Sequence, residues 1–230
     1  MQTDMELFAK DLATYEKVVR ENYMFHREVY GLLHSLLMVE APERFVFLDI
    51  ACGTATGSAE ALNGAAVGRY IGLDNSQPSL DVAREALSGL TCPVELRCQD
   101  FVEAMEAWEE PVDVVWIGQS LHHLRAGQKA DFMKRIRTLL RSQGLFLIWE
   151  TTCLEGEDRE GWMERFRRIR PQWPAITDEE FSTFDRHHRA SDYPETWETW
   201  TGMGRAAGFG RAEEIFTSPN GLARVYRFGA

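Results

Sequence analysis

The chain has 230 residues, a formal net charge of −11 at pH 7, 44% hydrophobic and 11% aromatic residues, and 8 prolines. This composition excludes a fibre, a stapled mini-protein and a disordered polymer, and it suffices for one full core. The acidic balance offers no broad basic face for phosphates, so neither nucleic acid nor an anionic membrane is expected as a partner, and a small or cationic ligand is. No apolar run approaches the ~20 residues of a spanning helix, and the start at residues 1–6 is acidic where a secretion signal would be basic. Cys52, Cys92, Cys98 and Cys153 form no CxxC pair. They suit a reducing compartment as small buried hydrophobes, and a cytoplasmic protein is expected.

From Met5 to Val39 apolar residues recur at threes and fours, which predicts two helices. Pro42 ends them, and the continuous apolar run Arg44–Ile50 predicts a parallel strand covered on both faces. Strand-like runs recur at Arg69–Leu73, Val94–Cys98, Val112–Ile117 and Gly144–Trp149, with helices starting near Gly57, Ser79, Phe101 and Gln128. This alternation predicts right-handed crossovers and a doubly wound α/β sheet. Residues 155–193 break the rhythm with charged residues, Trp and His, and read as an inserted helical cap, with a capping box at Thr177–Glu180. A helix over Pro194–Ala207, a stop at Gly208 and strands at Arg211–Phe216 and Ala223–Phe228 close the chain; Ser218–Gly221 turns the last two into an antiparallel hairpin. The organisation expected is one domain: a helical lid over 1–42, a ligand-binding core over 43–151, a cap over 152–194, and a final helix and hairpin over 195–230.

The most informative segment is Phe47–Gly57, where an apolar strand runs into a turn of very small residues before a helix. Small residues let a ligand approach backbone closely, at the carboxyl end of a strand where doubly wound sheets bind ligands. A dinucleotide fingerprint would read GxGxxG; this stretch reads AxGxxxG and sets Asp49 ahead of the turn, against a pyrophosphate. In this it resembles the first motif, D-x-G-x-G-x-G, of the class I S-adenosylmethionine-dependent methyltransferases, with Ala51 and Ala55 as small replacements for two glycines. Tyr70–Asp74 resembles the second motif, Arg97–Phe101 the third, Val112–Leu124 the fourth strand and its loop, and Leu139–Thr151 the fifth strand.

The resemblance implies a Rossmann-like seven-stranded sheet with an antiparallel C-terminal hairpin, S-adenosylmethionine as cofactor, and a lid of N-terminal helices. It also implies the cofactor contacts. Asp49, Ala51, Gly53 and Thr54 belong to the first turn, Asp74 with Asn75 to the ribose, Asp100 with Phe101 to the adenine, and Gln119 to the fourth-strand tip. The acceptor is expected to be a small metabolite, because no basic stripe is visible and Gln119-Ser120-Leu121-His122 lacks the N/D-P-P-Y/F signature of base and amide methylation. Methyl transfer from a sulfonium is an in-line displacement that depends first on held geometry, with a base needed only for a protonated nucleophile. His122, His123 and Tyr23 are the candidates for catalysis, set against solvent-facing or packing roles. Tyr23, His26, Arg27 and Glu150 are candidates for the substrate, Tyr23 and Arg27 by their i, i+4 spacing on one helical face. His187 and His188 read as a solvated helix end in the cap. Adjacent histidines point apart and no HxxxH or carboxylate-spaced partner accompanies them, so no metal is expected. Arg165, Arg167, Arg168 and Arg170 stand among acids and predict a salt-bridged helix. A monomer or homodimer fits. A cofactor-binding scaffold without turnover, or an enzyme using the same cofactor for other chemistry, stays open beside methyl transfer.

Overall fold

The computed structural model describes residues 13–230; the expected helix start near Met5 lies outside them. The chain is helical from 13 to 20 (α1) and over His26–Glu40 (α2). Between them Asn22 (φ 58°) and Phe25 (φ 66°) adopt left-handed backbone, which breaks the helical period. Then follow β1 Phe45–Ile50, α3 Thr56–Ala61, β2 Val67–Asp74, α4 Gln77–Ala86, β3 Val94–Cys98, α5 Phe101–Ala107, β4 Val112–Gly118, α6 Ala126–Leu139 and β5 Leu140–Cys153. The cap holds α7 Arg159–Arg168 and α8 Asp178–Ser191, and the chain closes with β6 Glu195–Thr196, α9 Trp197–Ala206, β7 Arg211–Thr217 and β8 Ala223–Gly229.

The main sheet runs β3-β2-β1-β4-β5-β8-β7, the seven strands expected, and two-residue β6 adds an eighth beside β5. β3, β2, β1, β4 and β5 are parallel, while β8 is antiparallel to β5 and β7. From central β1 the chain winds outward through β2 and β3, then crosses back to β4. That reversal opens a crevice beyond the carboxyl ends of β1 and β4, where such sheets take ligands. β5 outlasts its expected end because Thr151 pairs with Ala223 and Cys153 with Thr196. α9 starts at Trp197, since Thr196 Oγ1 caps it by accepting from Thr199 N at 3.2 Å.

Alternate residues of the buried strands feed opposite faces. Leu48, Ile50, Val115 and Ile117 pack on one side, Phe47, Val114, Trp116 and Trp149 on the other. A third cluster joins Val18 of α1 to Trp162, Met163 and Phe166 of α7, Trp173, and Phe181 of α8. Lid and cap thus share one small core. The capping box forms as expected: Thr177 Oγ1 accepts from Glu180 N at 3.2 Å and Glu180 Oε2 from Thr177 N at 2.8 Å. The cap arginines are paired, Arg165 with Glu157, Arg167 with Asp185, Arg168 with Glu164 and Arg170 with Asp178. All four cysteines are free thiols, but Cys153 alone among them is fully buried. No helix among the described residues is long and apolar enough to cross a membrane.

Candidate active site

Between β1 and α3 the backbone alternates through left-handed conformations at Ala51 (φ 54°), Gly53 (φ 54°) and Ala55 (φ 51°). The turn is fastened to β2, because Asp74 Oδ2 accepts from Gly53 N at 2.8 Å and its Oδ1 from Ser76 N at 2.8 Å. Ala51, Gly53, Thr54 and Gly57 form one wall of a cavity of about 480 Å³. Gly118, Gln119 and Ser120 form another, and Tyr15, His26, Arg27 and Tyr30 come down from the lid. His26 is buried against the Trp149 ring (centroids 4.9 Å) and shares a hydrogen bond with Tyr15 Oη at 3.0 Å. Burial pulls its pKa down to about 4, so the ring is neutral near pH 7.

The remaining first-turn and strand-tip residues surround this cavity without lining it. Asp49 lies fully buried beneath the turn, where Tyr70 Oη donates to its Oδ2 at 2.6 Å. Burial pushes its carboxyl up to about 7. Asp100 caps α5, accepting from Val102 N at 2.9 Å and Glu103 N at 3.1 Å, and Phe101 turns inward edge-on to Phe132. Asn75 is exposed beside Asp74.

Glu150 departs from the expectation of a ligand contact. It has no exposed surface, and its carboxylate accepts from the backbone amides of Ser120 (2.9 Å), Leu121 (2.6 Å) and His122 (3.3 Å), so it builds the loop after β4. His122 Nδ1–H also donates to Glu150 Oε2 at 2.7 Å, which fixes the tautomer and aims Nε2 at Asp192. Gln119 (φ 54°) sits at the start of this loop, and its Nε2 is buried without a protein partner.

The sequence reading missed Asp192. This carboxylate closes α8 and is completely buried. His188 Nδ1 lies 2.5 Å from its Oδ2, and His123 Nδ1, His122 Nε2 and His187 Nε2 lie 3.4, 3.7 and 3.8 Å from its Oδ1. Burial alone would raise its pKa, but the approach of His123 and His188 outweighs that and holds the carboxyl far below the usual range. His188 is therefore not part of a solvated helix end, whereas His187 stays exposed as expected while reaching toward Asp192. Nor do the members of each pair point apart: His122 and His123, ring centroids 4.3 Å apart, both face Asp192 Oδ1, and His187 and His188 approach the same carboxylate from α8, so the two pairs converge across the cap interface.

These histidines line a second cavity of about 180 Å³ whose other walls are Trp162, Phe166, Trp173 and Phe184. Tyr15 and Gln119 line both cavities, so the two adjoin. Tyr23 lines neither: its hydroxyl accepts from Ala175 N at 2.9 Å and its ring stacks on Trp173. The shared helical face expected for Tyr23 and Arg27 fails because Phe25 breaks the helix between them, sending Tyr23 to the cap and Arg27 to the larger cavity.

Sheet order, small-residue turn and strand-tip carboxylate together define the class I S-adenosylmethionine-dependent methyltransferase fold. Residues 47–144, under half of the chain, match the family model described as a methyltransferase domain. Solved structures agree on the fold. An O-methyltransferase family protein from Burkholderia thailandensis aligns with TM-score 0.66 at 18% identity, over 99% of this chain and 63% of its own. The S-adenosylmethionine-dependent methyltransferase SibL aligns at 0.56 and 16%, over 86% of this chain and 55% of its own. The plantazolicin methyltransferase BamL, in complex with a triazolic desmethylPZN analogue and SAH, aligns at 0.66 and 13%, over 96% and 90%. The chain thus spans under two thirds of the first two proteins. No curated protein matches it.

Proposed function

We propose that the protein transfers the methyl group of S-adenosylmethionine to a small, largely apolar acceptor seated in the aromatic cavity. The observation that carries this reading is the junction of the two cavities at Tyr15 and Gln119. The residues of the larger cavity fit the cofactor. Its turn is open to a ligand, as nothing lies within 4 Å of a Cβ placed on Gly53, and Gln119 Nε2 offers a buried donor with no protein partner. When bound, S-adenosylmethionine supplies a methyl group activated by its sulfonium.

This chain's residues would do the rest. The 51–57 backbone holds the ligand close, and Asp74, anchored through Gly53 N and Ser76 N, presents a carboxylate to the ribose hydroxyls. Arg27, exposed at the cavity and without an acidic partner among the described residues, suits the methionyl carboxylate. Trp162, Phe166, Trp173 and Phe184 exclude water and give a flat acceptor faces to stack on. The histidine face is the polar end of that cavity and receives the acceptor's polar group. A cavity of about 180 Å³ suits a small molecule better than a polymer.

The test is calorimetry of the purified protein with S-adenosylmethionine and its demethylated product, followed by a mass-spectrometric screen of phenols, carboxylic acids and amines for gain of one methyl. Tight cofactor binding and methylation of one class are expected, with binding lost in Asp74→Ala. Undiminished affinity in that variant would remove the ribose assignment, and binding without transfer to any class would leave a scaffold.

A further inference from the structure

We propose that His122, His123 and Asp192, with His187 beside them, bind a divalent transition-metal ion on the wall of the acceptor cavity. The three ligand atoms lie within 4.8 Å of one another. Three imidazole nitrogens stand 3.4, 3.7 and 3.8 Å from the single oxygen Asp192 Oδ1. Ligands ~2.0–2.1 Å from a tetrahedral ion are separated by ~3.3–3.4 Å, so each nitrogen needs to approach Asp192 Oδ1 by no more than a few tenths of an ångström, while the spread of up to 4.8 Å within the set closes by rotation of the exposed His123 ring. Asp192 Oδ1 is buried with no hydrogen-bond partner, and His123 Nδ1, now donating to Ser191 O at 3.3 Å, gives up that bond when it turns the 3.4 Å to the carboxylate to ligate.

The supporting residues have the form of a metal site. Glu150 accepts from His122 Nδ1–H, which turns Nε2 toward a carboxylate oxygen. A ring nitrogen and a carboxylate oxygen facing each other at 3.7 Å in a buried place leave room for a cation between them. Asp192 is held from behind by His188, and Arg159 grips the carbonyls of His188, Arg189 and Asp192, which fixes the end of α8. Tyr193 N donates to His122 O at 2.7 Å, locking the two histidine-bearing segments together. Imidazole nitrogens with one carboxylate suit zinc, iron, cobalt or nickel rather than magnesium or calcium.

His122, His123 and His187 also line the aromatic cavity, so a coordination position opens toward the acceptor. This deepens the proposed function and, as to role, rests on it: an acceptor oxygen bound there would be polarised and would release its proton to water more readily, with no side-chain base required.

The test needs neither cofactor nor acceptor. The full chain, stripped with a chelator and exchanged into metal-free buffer, is titrated with Zn²⁺ by calorimetry and with Co²⁺ by visible absorption. One equivalent of either ion is expected, with the intense bands of low-coordinate cobalt. His123→Ala and Asp192→Asn should each weaken binding at least ~10-fold, with near-ultraviolet circular dichroism checking the fold. His123 is half-exposed, so its variant carries the test should Asp192→Asn misfold. Binding below a tenth of an equivalent, or unchanged affinity in the His123 variant, overturns the site. S-adenosylmethionine titrated into the same sample separates the two readings. Cofactor binding without zinc sinks the metal alone, whereas zinc binding without methyl transfer to any acceptor sinks the function alone.

Discussion

Ala51 and Ala55 hold φ values of 54° and 51°, backbone that costs an L-residue ~1–2 kcal/mol relative to glycine. Glycine there loses part of that relief to greater unfolded-state entropy. Ala51→Gly and Ala55→Gly are each expected to stabilise the protein by ~0.5–1 kcal/mol in urea unfolding, and destabilisation by either would contradict the strain. Gly57 has no such latitude, because a Cβ would stand 2.2 Å from the Tyr30 ring. Gly57→Ala should displace Tyr30 in the cofactor cavity and weaken S-adenosylmethionine about tenfold, a loss of ~1.4 kcal/mol, with the sheet intact by circular dichroism. Asp49 gives a pH signature. Its folded pKa is raised from 3.8 to about 7, so the native state holds the proton more tightly; the stabilisation is complete below about 4 and is lost as pH rises through 7. Asp49→Asn should flatten that slope in unfolding curves from pH 4 to 8, and parallel curves would count against it. The turn was legible at this scale because a run of very small residues directly after an apolar strand serves close backbone approach and little else. Asp192 was not: it is one of 36 acids, far in sequence from His122 and His123, and only the docking of α8 on the β4 loop gives it meaning.

Among the elements, the lid is fastened to the cap by few groups. Lys17 Nζ meets Glu180 Oε1 at 2.5 Å, Tyr23 accepts from Ala175 N, and Tyr23 stacks on Trp173. The hydrogen bond from Lys17 leads the causes that hold the Glu180 carboxyl down at about 2, from 4.5. Its contribution is therefore present above about 4.5 and fades as pH falls toward 2. Glu180→Gln should speed hydrogen exchange in α1 at neutral pH with little change in melting temperature, as a partly exposed pair contributes little. Exchange in α1 no faster than in the parent would remove the clasp. Element types were readable where two signals agreed: β3 keeps its expected bounds, and Thr177 with Glu180 forms the capping box its spacing announces. The misreading fell at residues 22–25, where an apolar period continues unbroken while the backbone does not. Left-handed Asn22 and Phe25 leave no mark in hydrophobic spacing, so Tyr23 and Arg27 looked like neighbours.

At the scale of the molecule, two apolar clusters sandwich the sheet and a third holds lid and cap together. Phe166 is central to the third, stacked on Phe181 at 4.9 Å and on Trp162 at 5.8 Å. Phe166→Ala should cost ~3–5 kcal/mol locally, raising amide exchange in α1, α7 and α8 while β1 and β4 stay protected. Uniform loss of protection would mean one cooperative unit instead. The sheet was predictable because alternating strands and helices admit few topologies. The cap's helices were also predictable, but its packing was not, because that depends on residues from distant parts of the chain.

That third cluster has a consequence for anyone wishing to re-engineer acceptor choice. Residues 13–24 and 159–191 are two halves of one moulding, so a chimera importing only the later stretch from a homologue would arrive without its counterpart. Selectivity in such a scaffold should be exchangeable only when both stretches travel together, and natural divergence would leave them changing in concert.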